Sequence, residues 1–286
     1  MEKKTVLITG GNSGIGKHTA IELAKEGMEI IILSRTTSRG EEAKKNIIKK
    51  SNNPNIYIYQ TDFSRFSSII ETNNKIKKKF KKIDILINNA GAFYSKYNET
   101  IDGIERQWQI NHLAGFMLTY LLFPLIKKSN QGRIINVSSK GHYEGRLWFE
   151  NLNRKQKYKN GLGAYCQSKL ANVMFTKELA EKTKNTHITA NSLHPGVVNT
   201  AIGNKNNKGL VSFFWFLWRP FMMSQKKGAQ TTIYLASSKE ISNISGKYFE
   251  KRKIKKPSRF VEDPVLRKKL WEISEEQTKI NWKHML

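Results

Sequence analysis

Short runs of β-branched and aliphatic residues recur through the first two thirds of this chain, separated by segments long enough to be helices. Strand-like runs fall at 4–9 (KTVLIT), 28–34 (MEIIILS), 55–60 (NIYIYQ), 83–88 (IDILIN), 132–138 (GRIINVS) and 187–193 (HITANSL). Helical stretches are predicted near 14–26, 39–50, 65–81, 104–126 and 163–183. Such alternation predicts βαβ units and a parallel sheet covered on both faces by helices. The expected class is therefore α/β, a doubly wound parallel sheet of the Rossmann type. No internal repeat or low-complexity linker interrupts the pattern, so one domain is read over residues 1–286, with an elaborated C-terminal third.

Two composition values bear on this reading. With 286 residues, 38% of them hydrophobic, the chain can bury a substantial core. Its one cysteine, Cys166, permits no internal disulfide, which fits the cytoplasm or a cytoplasmic membrane face. The first strand starts at Lys4, leaving no room ahead of it for a signal peptide or anchor. Two apolar stretches, 110–126 and 210–223, fall short of the roughly 20 residues of a membrane span, and the first reads as a buried core helix.

Fifty Lys and Arg against 23 Asp and Glu give a formal charge of +27. Such an excess suits a polyanionic partner, either nucleic acid or an anionic membrane. Lys, Asn and Ile are all abundant, however, as a drift toward AT-rich codons would produce, and the lysines are spread over many segments such as 75–82 and 251–256. No zinc-finger spacing or aromatic RNA-binding strand accompanies them, so no specific nucleic-acid partner and no metal are expected.

The run VLIT leads directly into GGNSGIG and then KHTAIELAKEG. Gly10, Gly14 and Gly16 thus occupy a strand-to-helix turn, where small residues let backbone N–H groups approach a pyrophosphate at the positive end of a helix. About 20 residues on, the second strand should end beside the adenosine ribose, where an acid selects NAD and an arginine accommodates the NADP phosphate. Arg35 stands there and no acid appears until Glu41, which favours NADP(H), with Arg39 as a second contact. Asp62, after the third strand, and NNAG (88–91), after the fourth, sit where ligands bind in open α/β sheets.

Hydride transfer between an alcohol and a carbonyl needs a group that moves a proton to or from oxygen. Tyr165 and Lys169 lie four residues apart on a predicted helix, so they share one face. A cation held beside the phenol would lower its pKa from the ordinary value near 10. NVSSKGH places Ser138 and Ser139 at the end of the fifth strand. Ser139 is taken as the hydroxyl that polarises the substrate oxygen, with Ser138 turned toward backbone or core, although physics alone does not separate them.

The ordered series TGGNSGIG, NNAG, Asn111 in INHLAGF, NVSS, Tyr165-x-x-x-Lys169 and HPGVVNT resembles the short-chain dehydrogenase/reductase family over roughly residues 4–250. NHLAGF, NVSSKGH, AYCQSKLANVMFTKELA and GAQTTIYLA are similar to its NADP-dependent retinol dehydrogenase branch. The resemblance implies a tetrad. Tyr165 would be the acid/base, Lys169 would lower its pKa and bind ribose, and Ser139 would orient the carbonyl. Asn111 would hold a helix kink and a water that relays protons to Lys169. It further implies that Gly10, Asn12, Ser13, Gly14, Ile15, Gly16, Ala90 and Gly91 line the cofactor. Asp62 and Asn88 would contact the adenosine portion, and Pro195, Gly196, Val198 and Thr200 would border the nicotinamide.

In this family the segment after HPG and the chain's end form much of the substrate pocket. Residues 197–225 here are an apolar segment, including two Trp and four Phe within LVSFFWFLWRPFMM. They would line a pocket for a long apolar alcohol, aldehyde or ketone, or lie in a lipid interface, with core packing or contact between copies of the chain as alternatives. With its basic flanks, the segment suggests an enzyme that collects apolar substrate from an anionic membrane surface as a peripheral protein. Many relatives in that branch carry an N-terminal hydrophobic anchor that this sequence does not show. The resemblance names a retinoid as substrate; the residues themselves argue only for an apolar carbonyl or alcohol.

Overall fold

The computed structural model describes residues 3–155, 158–196, 198 and 223–284. Six predicted strands form within a residue or two of the expected bounds: β1 (Thr5–Thr9), β2 (Glu29–Ser34), β3 (Ile56–Gln60), β4 (Ile85–Asn88), β5 (Gly132–Val137) and β6 (Ile188–His194). Two short strands join them, β7 (Tyr248–Glu250) and β8 (Lys253–Lys255). All lie in one sheet in the order β3-β2-β1-β4-β5-β6-β7-β8, parallel from β3 to β7, with β8 antiparallel at the edge.

Strands β1, β4 and β5 are buried along their whole length, as β-branched runs covered on both faces must be. One face carries α1 (Gly14–Lys25) and α2 (Thr37–Ser51). The other carries α3 (Phe66–Lys79) and a long central helix. That helix starts as α4 (Arg106–Trp108), passes through a π-helical turn (Gln109–Leu113) and continues as α5 (Ala114–Ile126). As a whole it is long and apolar enough to cross a membrane by length and composition, yet 72% of its apolar window is buried inside the protein, as the core-helix reading requires.

Helices α6 (Leu162–Lys182), α7 (Gln225–Ser237) and α8 (Pro264–Thr278) complete the layers. Arg133, buried in β5, donates to the carbonyls of Leu235, Ala236 and Ser238 at the end of α7. A cation at a helix C-terminus satisfies orphan carbonyls and the helix dipole together. The described part of the chain's end, which the resemblance associated with a substrate pocket, packs in large part on the core. Trp271 on α8 and Trp282 beyond it are buried against Phe116, with Phe175 and Phe123 beside them, and so complete the core.

Candidate active site

The turn from β1 into α1 is shaped by its glycines. Gly10 and Gly14 have φ of +66° and +55°, in the left-handed region that side chains resist. A Cβ on Gly16 would lie 2.6 Å from both the Gly10 carbonyl oxygen and Asn89 Nδ2, so only glycine lets α1 approach so closely. Ser13 begins α1 in extended geometry without capping it through its side chain. That leaves N–H groups of the first turn at the edge of a cleft of about 290 Å³, which Gly10, Asn12, Ser13, Gly14, Ile15 and Gly16 line. These residues form a cradle that fits the pyrophosphate of a dinucleotide.

Arg35 and Arg39 line the same cleft; both are exposed, and no carboxylate pairs with either among the described residues. Asp62, Ala90 and Gly91 also border it. The Asp62 carboxylate accepts from the Ser64 backbone N–H (3.0 Å) and hydroxyl (2.7 Å), which fixes its orientation. Asn88 departs from expectation. Its amide donates to Thr119 Oγ1 (3.0 Å) and Asn136 Oδ1 (2.8 Å) inside the protein, away from the adenosine side. Asn89 borders the cleft instead and ties β4 to the glycine turn by donating to the Thr9 carbonyl (2.8 Å). Successive side chains at a strand end alternate faces, so one of two adjacent asparagines had to turn inward.

Beside this cleft, next to its lining residues Gly91 and Phe93, β5 delivers the two serines and α6 delivers Tyr165 and Lys169. Ser138 is buried and donates to the Lys169 carbonyl (2.7 Å), locking β5 to α6. Ser139 starts a 3-10 turn (Lys140–Tyr143); its hydroxyl accepts from the Gly141 N–H (3.2 Å) and lies on the Tyr165 side of that turn, where a Cβ on Gly141 would come within 3.6 Å of the Tyr165 ring and 3.7 Å of Ser139 Oγ. The structure thus separates two serines that the sequence left ambiguous. Tyr165 is half-buried, edge-on to Phe93 at 5.9 Å.

Lys169 is only 4% exposed. Its ammonium donates to the Val137 carbonyl (3.1 Å) and lies 5.7 Å from the centre of the Tyr165 ring. A Cβ on Gly91 would come within 3.3 Å of Lys169 Nζ, so the absent side chain is what opens this nitrogen to the cleft. Asn111 stands inside the π-helical turn, where a helix irregularity was expected. Its side chain clamps Ala92, accepting from the N–H (2.7 Å) and donating to the carbonyl (2.9 Å), and also donates to Ser168 Oγ (3.1 Å). Its backbone carbonyl accepts from Asn172 Nδ2 (2.9 Å).

The expected lowering of the phenol pKa is not what the protein alone provides. Burial pushes the Tyr165 pKa up, and the nearby Ser139 hydroxyl pulls against it. Burial also lowers Lys169 to about 8. The phenol is therefore held protonated, able to donate to an oxygen placed between it and Ser139.

Pro195 and Gly196 line a recess beyond β6, and Val198 pairs with Met223 while packing on Ile15. Gly196 has φ +95°, and a Cβ there would meet Met223 Sδ at 2.7 Å. Thr200 and most of the 197–225 segment lie outside the described residues. One residue was missed. His142 is fully buried; its Nδ1 hydrogen-bonds the Ser139 carbonyl (2.7 Å), while Nε2 accepts from the Ser258 N–H (3.2 Å). An acceptor at Nε2 requires the neutral tautomer with its proton on Nδ1, and burial lowers the pKa accordingly. A histidine three residues after the serine was the available signal.

Comparison with known proteins places the chain among relatives of one family. The short chain dehydrogenase family profile matches residues 4–210. The chain is 41% identical over 272 residues to mouse (Mus musculus) retinol dehydrogenase 13, covering 94% of this chain and 81% of that protein. It is 38% identical over 279 residues to human (Homo sapiens) retinol dehydrogenase 12, covering 98% and 87%. Among solved structures, an uncharacterized protein from Mycobacterium paratuberculosis superimposes with a TM-score of 0.79 at 31% identity, covering 97% of this chain and 94% of that one. The L-sorbose reductase of Gluconobacter frateurii, solved with NADPH and L-sorbose, shares the fold with a TM-score of 0.68 at 24% identity, covering 87% and 95%.

Proposed function

This chain belongs to the short-chain dehydrogenase family, and on that premise we propose that it is an NADP(H)-dependent oxidoreductase interconverting an apolar alcohol and its aldehyde or ketone, with retinol and retinal as the pair. The observation that carries the reading is the Tyr165 phenol, kept protonated by burial and flanking Gly141 together with the Ser139 hydroxyl, with the Lys169 nitrogen behind it at the Gly91 opening. The dinucleotide, when bound, supplies or accepts the hydride. Tyr165 gives its proton to the carbonyl oxygen in reduction and takes it back in oxidation. Ser139 shares that oxygen and orients it. Lys169 binds the ribose hydroxyls and stabilises the phenolate left after proton transfer. Asn111 holds Ala92, and with it the wall of the cleft, in place.

The carboxylate-free pair Arg35 and Arg39 supports NADP(H) over NAD(H), because a guanidinium clamps a 2′-phosphate that a carboxylate would repel. The names of the relatives support a retinoid, and residues 197–225 are the proposed apolar contact for it.

The test mixes purified protein with all-trans-retinal and either NADPH or NADH, assaying retinol by chromatography. Retinol formed with NADPH, and at least tenfold more slowly with NADH, supports the reading. Equal rates with both cofactors remove the NADP preference. NADPH binding without turnover of retinal or of other apolar carbonyls removes the enzymatic reading. Arg35→Glu should reverse the cofactor preference.

A further inference from the structure

The hairpin formed by β7 and β8 turns at Lys251 and Arg252, with Glu250 pairing Lys253 across the two-residue loop. Both turn residues have positive φ, 51° and 63°, a geometry normally filled by asparagine and glycine. The chain places two long cations at positions where their backbone conformation is unfavourable. Lys253, Lys255 and Lys256 follow, so five of the six residues from 251 to 256 are basic, and all six are exposed. The sixth, Ile254, is 50% exposed amid these charges.

This hairpin is fastened to the loop that carries Ser139. Lys140 pairs with Glu250 at 3.0 Å, and the Tyr143 hydroxyl donates to the Lys256 carbonyl at 2.7 Å. His142 lies against Tyr248 with ring centres 4.5 Å apart and planes tilted by 49°, and accepts from Ser258. Since β7 runs parallel to β6, its turn emerges at the carboxyl end of the sheet, the end that bears the active site. The other basic run behaves differently. Lys77 and Lys78 on α3 precede β4 and lie toward the amino end.

We propose that the 251–256 hairpin is a docking surface for an anionic lipid membrane, which sets the mouth of the active site against the bilayer. Its five cations attract acidic headgroups, and Ile254 enters the headgroup region between them. A second copy of the chain is the poorer occupant of this open strand edge, because two such hairpins would bring like charges face to face. The inference deepens the reading of an apolar substrate, since such a substrate resides in lipid, and it rests on that reading.

The test is cosedimentation with phosphatidylcholine vesicles, with and without phosphatidylserine. Wild type should bind only the anionic vesicles, and less tightly as salt rises. The variant Lys251→Asn/Arg252→Gly puts favoured residues into the turn, so it should fold at least as well, yet lose on the order of tenfold or more in vesicle affinity. A charge-matched control, Lys77→Gln/Lys78→Gln, should bind like wild type. The proposal is overturned if the hairpin variant binds normally, if the control loses as much, or if neutral vesicles bind equally. It is also overturned if RNA outcompetes the vesicles for the hairpin, or if sedimentation shows this edge covered by a second copy. Reduction of a water-soluble carbonyl without vesicles reads the catalytic site independently: the hairpin variant should keep that rate, whereas loss of it in wild type would count against the enzymatic reading and not against docking.

Discussion

The cleft and the polar cluster beside it are built by different means. In the cleft, next to α1, backbone geometry does the work: Gly10 and Gly14 adopt left-handed φ, and Gly16 admits a neighbouring carbonyl that any side chain would strike. In the cluster, next to α6, side-chain hydrogen bonds do it: Ser138 to the Lys169 carbonyl, Asn111 to Ala92, and His142 to the Ser139 carbonyl. A turn held by glycine tolerates almost no added atoms. A site held by hydrogen bonds tolerates changes of shape but depends on protonation and on each partner being present.

The sharpest contrast comes from Tyr165→Phe, which should lower turnover by about a thousandfold while leaving the NADPH dissociation constant within about twofold. Loss of cofactor binding along with rate would show that the two regions are not separable. Acid should weaken the hydrogen-bonded region next. His112, bonded to Asn172 and Ser274, and His194, beside the Lys140 N–H, both have pKa values lowered by burial to about 4. Folded protein keeps them neutral, while unfolded chain protonates them near 6.5, so stability is full above 6.5 and is lost as pH falls toward 4. Each contributes on the order of 3 kcal/mol over that window. Urea unfolding at neutral and acid pH should show this loss, and His112→Gln should show a smaller one.

At the glycine turn, Gly16→Ala should weaken NADPH about tenfold or more through overpacking against the Gly10 carbonyl, read by fluorescence titration, with little pH dependence. The smallest effect is expected for Ser138→Ala. It removes one buried hydrogen bond and should cost about 1 kcal/mol in denaturant unfolding; a thousandfold loss of activity would instead assign it the role given to Ser139.

The same contrast explains what could be read in advance. Six strands and five helices were legible because each has a run of periodic, apolar residues, and the glycine turn because its spacing reports backbone geometry directly. β7 and β8 were not legible. Each has three residues, and they form strands through pairing with distant β6, so KRKIKK reads as a charge run when taken alone. Tyr165 and Lys169 stand out by spacing. Which serine faces the phenol, which asparagine of the pair at 88–89 turns inward, and what His142 touches depend on partners many residues away. Arg133 was equally hidden, since its burial in β5 makes sense only once the end of α7 lies over it.

The aromatic cluster around Trp282 bears on how the protein is made. Phe116 and Phe123 are produced early, yet they are covered by Trp271 and Trp282, and Trp108 on α4 donates to Gln277. A ribosome-bound chain that has not yet released residue 282 therefore carries an uncovered aromatic face on an otherwise assembled sheet. Closure of that face must await synthesis of Trp271 and Trp282, and until then the nascent chain exposes apolar surface of the kind that promotes misassembly.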